Sequence, residues 1–247
     1  MIIPPGLVPV FLYRSRDAVT ILTHIMKFKG ITLIGFDMDG TLFNSFSASY
    51  DALYEGFEGF WKEMGTTGPI PDWEFVKSLI GLPSYEFYPQ CLPKEFKSQW
   101  EVLHRHVGDA ERRRLEAGQG RTFDGVHANL EVLKSNGFEL GMLSNASKVY
   151  FDSVLDGCDL RRFFGRLSHL GDNFLQNKAD MLEVWAVEMG GADRVVYVGD
   201  RAGDIQSAHA AGVKAVGVTW GYGSRRELAD ADAIINRMDE LPGLFGL

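Results

Sequence analysis

A chain of 247 residues, 45% hydrophobic and 23% charged, can bury one sizeable core or a core carrying a smaller inserted domain, which argues against disorder. Its 33 acidic and 25 basic residues leave a net charge of −8, which speaks against general attraction to nucleic acid or an anionic membrane; an anionic substrate would need positive charge supplied locally. The two cysteines, Cys91 and Cys158, have no metal-binding or redox spacing and fit a reducing cytoplasm, and no run approaches the roughly 20 apolar residues that span a bilayer.

Residues 1–29 read as an N-terminal extension. "MIIPPGLVPVFLY" is apolar but holds Pro4, Pro5 and Pro9, and it lacks the basic start and cleavage site of an export signal. Met26 opens "MKFKGITLIGFD", a natural start for a domain, so residues 1–25 are expected to be dispensable. The core then begins at residue 30 with a short β-branched strand that runs into Asp37 and Asp39.

Residues 45–121 are expected to be helical throughout, as about four helices. Phe46, Tyr50, Leu53, Tyr54, Phe57, Phe60, Trp61 and Met64 mark one apolar face of a long amphipathic helix, expected to be core. Asp72 is placed to cap "WEFVKSLI", which Gly81 would stop, and Pro93 to open a helix with Phe96, Trp100, Leu103 and Val107 on one stripe. From residue 122 the pattern changes. The apolar runs "FELGMLSN", "GRLSHLGD" (the weaker candidate), "RVVYVGD", "KAVGVTW" and "DAIIN" alternate poorly, as strands buried on both faces do, and the helical patterns "VHANLEVLKSNG", "KADMLEVWAVEMGG" and "DIQSAHAAG" precede the first, third and fourth of them. The fold class is α/β: a doubly wound parallel-sheet core, residues 30–44 and 122–247, with an inserted α-helical cap, residues 45–121.

In such a sheet every strand ends at the same edge, where ligands bind. The first strand ends in Asp37 and Asp39, the second in Ser144 and Asn145, the fourth in Asp200 with Asp204 one turn on, and Lys178 opens the helix before that fourth strand. Carboxylates packed together need a balancing cation. Oxygen ligands without His or Cys favour Mg²⁺, which retains waters and accepts a substrate phosphate oxygen. The partner is therefore expected to be a small phosphorylated metabolite, with no nucleic acid and no membrane; nothing in the sequence fixes the oligomeric state.

"FDMDGTL", then Ser144, Lys178 and "GDRAGD", in this order and spacing, resemble the haloacid dehalogenase superfamily of phosphohydrolases, and within it the phosphoglycolate phosphatase branch, over residues 33 to about 236. The resemblance implies that Asp37 is the nucleophile and forms an aspartyl phosphate, and that Asp39 protonates the leaving oxygen and later activates water. It further implies Mg²⁺ at Asp37, the Asp39 carbonyl and Asp200, with Asp204 holding a metal water or the lysine. Ser144, amides near Asn145 and those of the Gly40 to Thr41 turn would donate to the phosphoryl oxygens, while Lys178 offsets charge. Two positions depart from the common pattern: Ala179 follows the lysine in place of proline, and Arg201 follows Asp200 in place of threonine or serine, a change expected to affect substrate choice more than chemistry.

Three rival readings are open. A phosphosugar mutase of the β-phosphoglucomutase type would pass the phosphoryl group to a sugar hydroxyl; a dehalogenase would need no metal and usually lacks the second aspartate; a binding protein retaining the fold would usually have lost one of the acids. His104 and His106 lie about 200° apart on a helix and cannot share a metal. Arg112 to Arg114, beside Glu111 and Glu116, read as a solvated face, and "VTWGYGS" as either the rim of the site or a turn.

Overall fold

The computed structural model describes residues 27–170 and 177–247, together with the backbone of two short strands, β1 (Tyr13–Ser15) and β2 (Ala18–Thr20), that pair antiparallel. The expectation that residues 1–25 are dispensable otherwise lies outside the described residues. Six strands, β3 (Leu33–Phe36), β4 (Glu139–Ser144), β5 (Arg166–His169), β6 (Val195–Gly199), β7 (Lys214–Val218) and β8 (Ala233–Ile235), form one parallel sheet in the order β5-β4-β3-β6-β7-β8. Strand order reverses between β3 and β6, so the residues that follow these two strands flank a topological switch point.

Successive residues of β3 enter cores on opposite faces of the sheet. Ile34 and Phe36 pack with helices α5 (Val126–Ser135) and α6 (Lys148–Gly157) through Leu130, Leu133, Phe151 and Val154. Leu33 packs with α7 (Lys178–Glu188) and α8 (Ala202–Ala210) through Leu182, Trp185, Ile205 and Ala208. Every residue of β3 and β6 is buried, which is why their sequences do not alternate.

The position of α7 depends on two glycines that face each other across β3 and β4. A Cβ on Gly35 would stand 2.9 Å from the Trp185 ring, and one on Gly141 2.7 Å from it, so only bare backbone lets the indole lie this close to the sheet. That docking fixes the helix whose first residue is Lys178.

Between β3 and α5 lie α1 (Phe46–Glu63), α2 (Trp73–Leu79), α3 (Ser84–Gln90) and α4 (Trp100–Glu116). Leu53, Phe57, Phe60 and Trp61 of α1 bury against Leu103 and Val107 of α4 in a third apolar cluster. Asp72 caps α2 by accepting from the Phe75 amide at 2.9 Å, as its sequence position indicates. Two expectations are corrected here. The helix expected from Pro93 begins as a 3-10 segment over Lys94–Gln99. The aromatic face of α1 is core only in its second half, because Phe46 and Tyr54 are exposed and stack with Tyr50 and Trp73 instead. The insertion is not sealed off from the sheet: Ala48 and Leu115 join the core beneath α5 and α6. At the other end, Phe28 is buried against Phe245, and the Lys27 and Phe28 amides both donate to the Leu244 carbonyl at 3.0 Å. No helix among the described residues is long and apolar enough to cross a membrane.

Candidate active site

Asp37 continues β3, its amide donating to the Val198 carbonyl of β6 at 2.9 Å. The chain then folds back on itself: the amides of Thr41, Leu42 and Phe43 all donate to the Met38 carbonyl, and Gly40 takes φ +80°. Gly40 is needed for space as well as conformation, since a Cβ there would lie 2.4 Å from Asp200 Oδ2. Asp200 ends β6 across the switch point. Its Oδ2 accepts the Tyr222 and Gly223 amides at 2.6 and 3.3 Å, and its Oδ1 accepts from the Thr41 hydroxyl at 3.4 Å. The glycine-rich loop after β7 therefore orients an acid of the site.

Lys178, held at the head of α7 by the Asn177–Asp180 capping box, reaches back to the sheet edge and donates to Asp37 Oδ1 and Asp204 Oδ1, both at 2.7 Å. Asp204 also accepts the Arg201 amide at 3.0 Å. All four side chains are buried, and carboxylate oxygens of Asp37, Asp200 and Asp204 lie within 4.8 Å of one another. Three carboxylates against one ammonium leave an excess of negative charge. Burial raises the Asp37 carboxyl well above the ordinary range, Lys178 opposes this, and Asp204 and Asp200 add to it. Burial and Asp204 push Asp200 up to about 7 against the lowering effect of its two amide donors. For Lys178, burial disfavours the ammonium, but Asp204 and Asp37 outweigh it and hold its pKa above the ordinary value. The donor set is that of a divalent cation: hard oxygens, surplus negative charge and no His or Cys.

Asp39 faces the other way. Its Oδ1 accepts from the Tyr150 hydroxyl at 2.8 Å and from the Ser45 hydroxyl, and it lines a cavity of about 100 Å³ between the sheet edge and the helical insertion. Burial raises its carboxyl pKa against the lowering effect of these two hydroxyls and of Lys178. Asp37, Ser144 and Asn145 line the same cavity, and the Ser144 hydroxyl accepts the Ala146 amide at 3.1 Å. Asn145 donates from Nδ2 to the Gly81 carbonyl at 2.8 Å, while Arg201 donates to the Ser78 and Lys77 carbonyls at 3.1 and 3.4 Å. These bonds tie the end of α2 and the turn that follows it to the site.

Seven of the nine residues expected from the sequence thus converge on one sheet edge. Gly40 and Thr41 stand apart from the cavity: the Gly40 amide donates to the Phe43 carbonyl at 3.0 Å, the Thr41 amide to Met38 at 3.3 Å, and neither residue lines it. Their part is to shape the turn around Asp200. Sequence reasoning missed Ser45, Tyr150 and Glu111. Only Glu111 carried a signal, an acid in register with Val107 and Leu115 on the apolar stripe of α4. His104 lines the cavity while His106 pairs with Glu63 at the surface, so the two diverge as expected.

Residues 34–218 match the family described as haloacid dehalogenase-like hydrolase. The phosphoglycolate phosphatase of Escherichia coli (strain K12) is 33% identical over 250 residues, covering 90% of this chain and 95% of that protein. The probable phosphatase IndB of Dickeya dadantii is 26% identical, over 85% and 92% of the two chains. Among solved structures, a haloacid dehalogenase-like hydrolase from Streptococcus pneumoniae superposes with a TM-score of 0.73 at 22% identity, covering 88% of this chain and all of that one. CbbY from Rhodobacter sphaeroides in complex with phosphate gives 0.71 at 21%, covering 87% and 99%. The acids after β3 and β6 and the lysine at the head of α7 all fall inside the matched span, and the chain belongs to the haloacid dehalogenase-like hydrolase family.

Proposed function

We propose that the protein hydrolyses a small phosphomonoester through an aspartyl phosphate on Asp37, with residues 45–121 acting as a cap over the core formed by residues 30–44 and 122–247. One observation supports this above the others: Asp37, Asp200, Asp204 and Lys178 meet in a buried cluster, while Asp39 turns its carboxyl into the adjoining cavity. An Asp37 oxygen bonds to phosphorus as the ester P–O bond breaks, and Asp39 gives its proton to the departing alkoxide. Asp39 then takes a proton from water as the water oxygen attacks phosphorus, releasing phosphate and restoring Asp37. The raised pKa of Asp39 suits it to carry the proton in the first half. Ser144 donates to the phosphoryl oxygens, and Lys178 keeps Asp37 oriented and offsets negative charge.

Asp37 and Asp200, with the Asp39 carbonyl, would hold Mg²⁺, and Asp204 would bind one of its waters while anchoring Lys178. When bound, the ion supplies positive charge that lets an anionic phosphoryl group approach an anionic nucleophile. The bonds from Asn145 and Arg201 to the end of α2 and the turn that follows it support a cap that excludes bulk water during turnover. A cavity of about 100 Å³ suits a leaving group the size of glycolate, and the two buried free thiols fit residence in the cytoplasm.

Free phosphate should be released from small monoesters and from an aryl phosphate with Mg²⁺ but not with chelator, and Asp37→Asn should abolish it in a folded protein. Asp39→Asn should cost about 10²- to 10⁴-fold on alkyl phosphates and less on aryl phosphates, whose leaving groups need no proton. Phosphoryl transfer to a sugar without release of free phosphate would favour the mutase reading, and metal-independent turnover would overturn this one.

A further inference from the structure

The cavity has a second polar end that the proposed chemistry does not use. Glu111 projects from α4 into its wall and is only 8% exposed. The nearby Ser49 hydroxyl lowers its carboxyl pKa and lies 3.3 Å from the Tyr150 hydroxyl, which in turn donates to Asp39 at 2.8 Å. Trp73, Phe87 and Tyr88 supply aromatic surface along the same wall. Among the described lining residues there is no arginine or lysine. The three arginines that follow Glu111 pair elsewhere: Arg112 with Asp109 and Glu116, Arg113 with Glu55, and Arg114 with Asp51 and Glu55. His104, 4.8 Å from Tyr88 and 6.1 Å from Trp100 between ring centroids, is the single described lining side chain able to become cationic.

A leaving group ending in a carboxylate would bury an anion beside Asp39 and Glu111 with no described arginine or lysine on the wall to pair with it, in a space screened from water, where an unpaired charge costs several kcal/mol. A hydroxyl or ammonium would instead donate to Glu111, and an ammonium would also gain from the aromatic faces. Taking the hydrolysis of a phosphomonoester as given, we propose that Glu111 selects a leaving alcohol that carries a hydrogen-bond donor, hydroxyl or ammonium, and rejects one that carries a carboxylate. Burial, together with the Asp39 charge, already raises the Glu111 carboxyl to about 8, against the lowering from Ser49; a further anion would raise it more, and a donor would lower it. The preferred substrate then has the size of phosphoglycolate without its charge.

The test compares three two-carbon monoesters on the wild-type protein with Mg²⁺: 2-phosphoglycolate, 2-hydroxyethyl phosphate and phosphoethanolamine, with p-nitrophenyl phosphate as the generic substrate. The hydroxyl and ammonium esters should each exceed phosphoglycolate in kcat/KM by at least about tenfold, and Glu111→Gln should narrow both ratios. Phosphoglycolate turned over as well as or better than the other two overturns this inference alone. Ratios unchanged in Glu111→Gln, with the wild-type preference intact, remove Glu111 as its cause. Release of phosphate from none of the four, p-nitrophenyl phosphate included, overturns the hydrolytic reading itself.

Discussion

Lys178 holds together two acids that would otherwise be buried side by side without a partner. Its ammonium sits 2.7 Å from both Asp37 and Asp204, and all three side chains are buried. Lys178→Met should destabilise the protein by about 3–5 kcal/mol in chemical denaturation without divalent cation, the usual result of removing one member of a buried pair. Mg²⁺ should restore part of the loss by supplying positive charge at the same carboxylates. A loss below about 1 kcal/mol, the range of an exposed pair, would show that the lysine does not hold these acids. The acids and the lysine were legible in the sequence because they end strands or start a helix, and a parallel sheet delivers those positions to one edge. Ser45 and Tyr150 were not legible. A serine and a tyrosine on helices acquire meaning only when folding brings them to Asp39. The fate of the Gly40 and Thr41 amides was hidden as well, since the turn that occupies them is set by Gly40 at φ +80° and by the Met38 carbonyl that gathers three donors.

At the scale of elements, the decisive contact lies away from the chemistry. Helix α7 carries Lys178 at its head and Trp185 two turns on, and the indole lies against Gly35 and Gly141. Gly141→Ala should therefore overpack this contact at a cost of about 1–3 kcal/mol and lift the start of the helix from Asp37. Turnover should fall by more than in Val154→Ala, which makes a cavity on the opposite face of the sheet while leaving α7 seated; thermal unfolding alongside steady-state kinetics for both variants checks this. Equal losses of activity at matched stability would uncouple the docking of α7 from the site. The patterns of α5, α7 and α8 and the buried runs of β3, β4, β6 and β7 were readable because burial leaves a dense signal, whereas α6 went unread. The first half of α1 misled, because Phe46, Tyr50 and Tyr54 have helical spacing like core residues yet stack on one another and on Trp73 at the surface. Spacing records which residues share a face, not what covers that face.

Across the whole molecule, an acidic chain gathers its most unfavourable charges at one place. Asp37, Asp200 and Glu111 all have raised pKa values in the fold, Asp200 to about 7 and Glu111 to about 8, so the native state binds protons that the unfolded chain has already released. Without divalent cation, stability should fall as pH rises from the ordinary carboxylate range through about 8, and saturating Mg²⁺ should flatten the part of that slope due to Asp37 and Asp200. Urea midpoints measured across this range with Mg²⁺ and with chelator give both slopes; identical slopes would mean that no cation binds at the cluster. The central claim, that Asp37 itself takes up the phosphoryl group, is tested most directly by quenching turnover in acid, reducing any acyl phosphate with borohydride and sequencing the peptide that contains position 37 by mass spectrometry. Homoserine in place of Asp37, formed only with both substrate and Mg²⁺, is the result expected. Sustained turnover with position 37 unmodified, or with the modified residue elsewhere in the chain, would contradict the account.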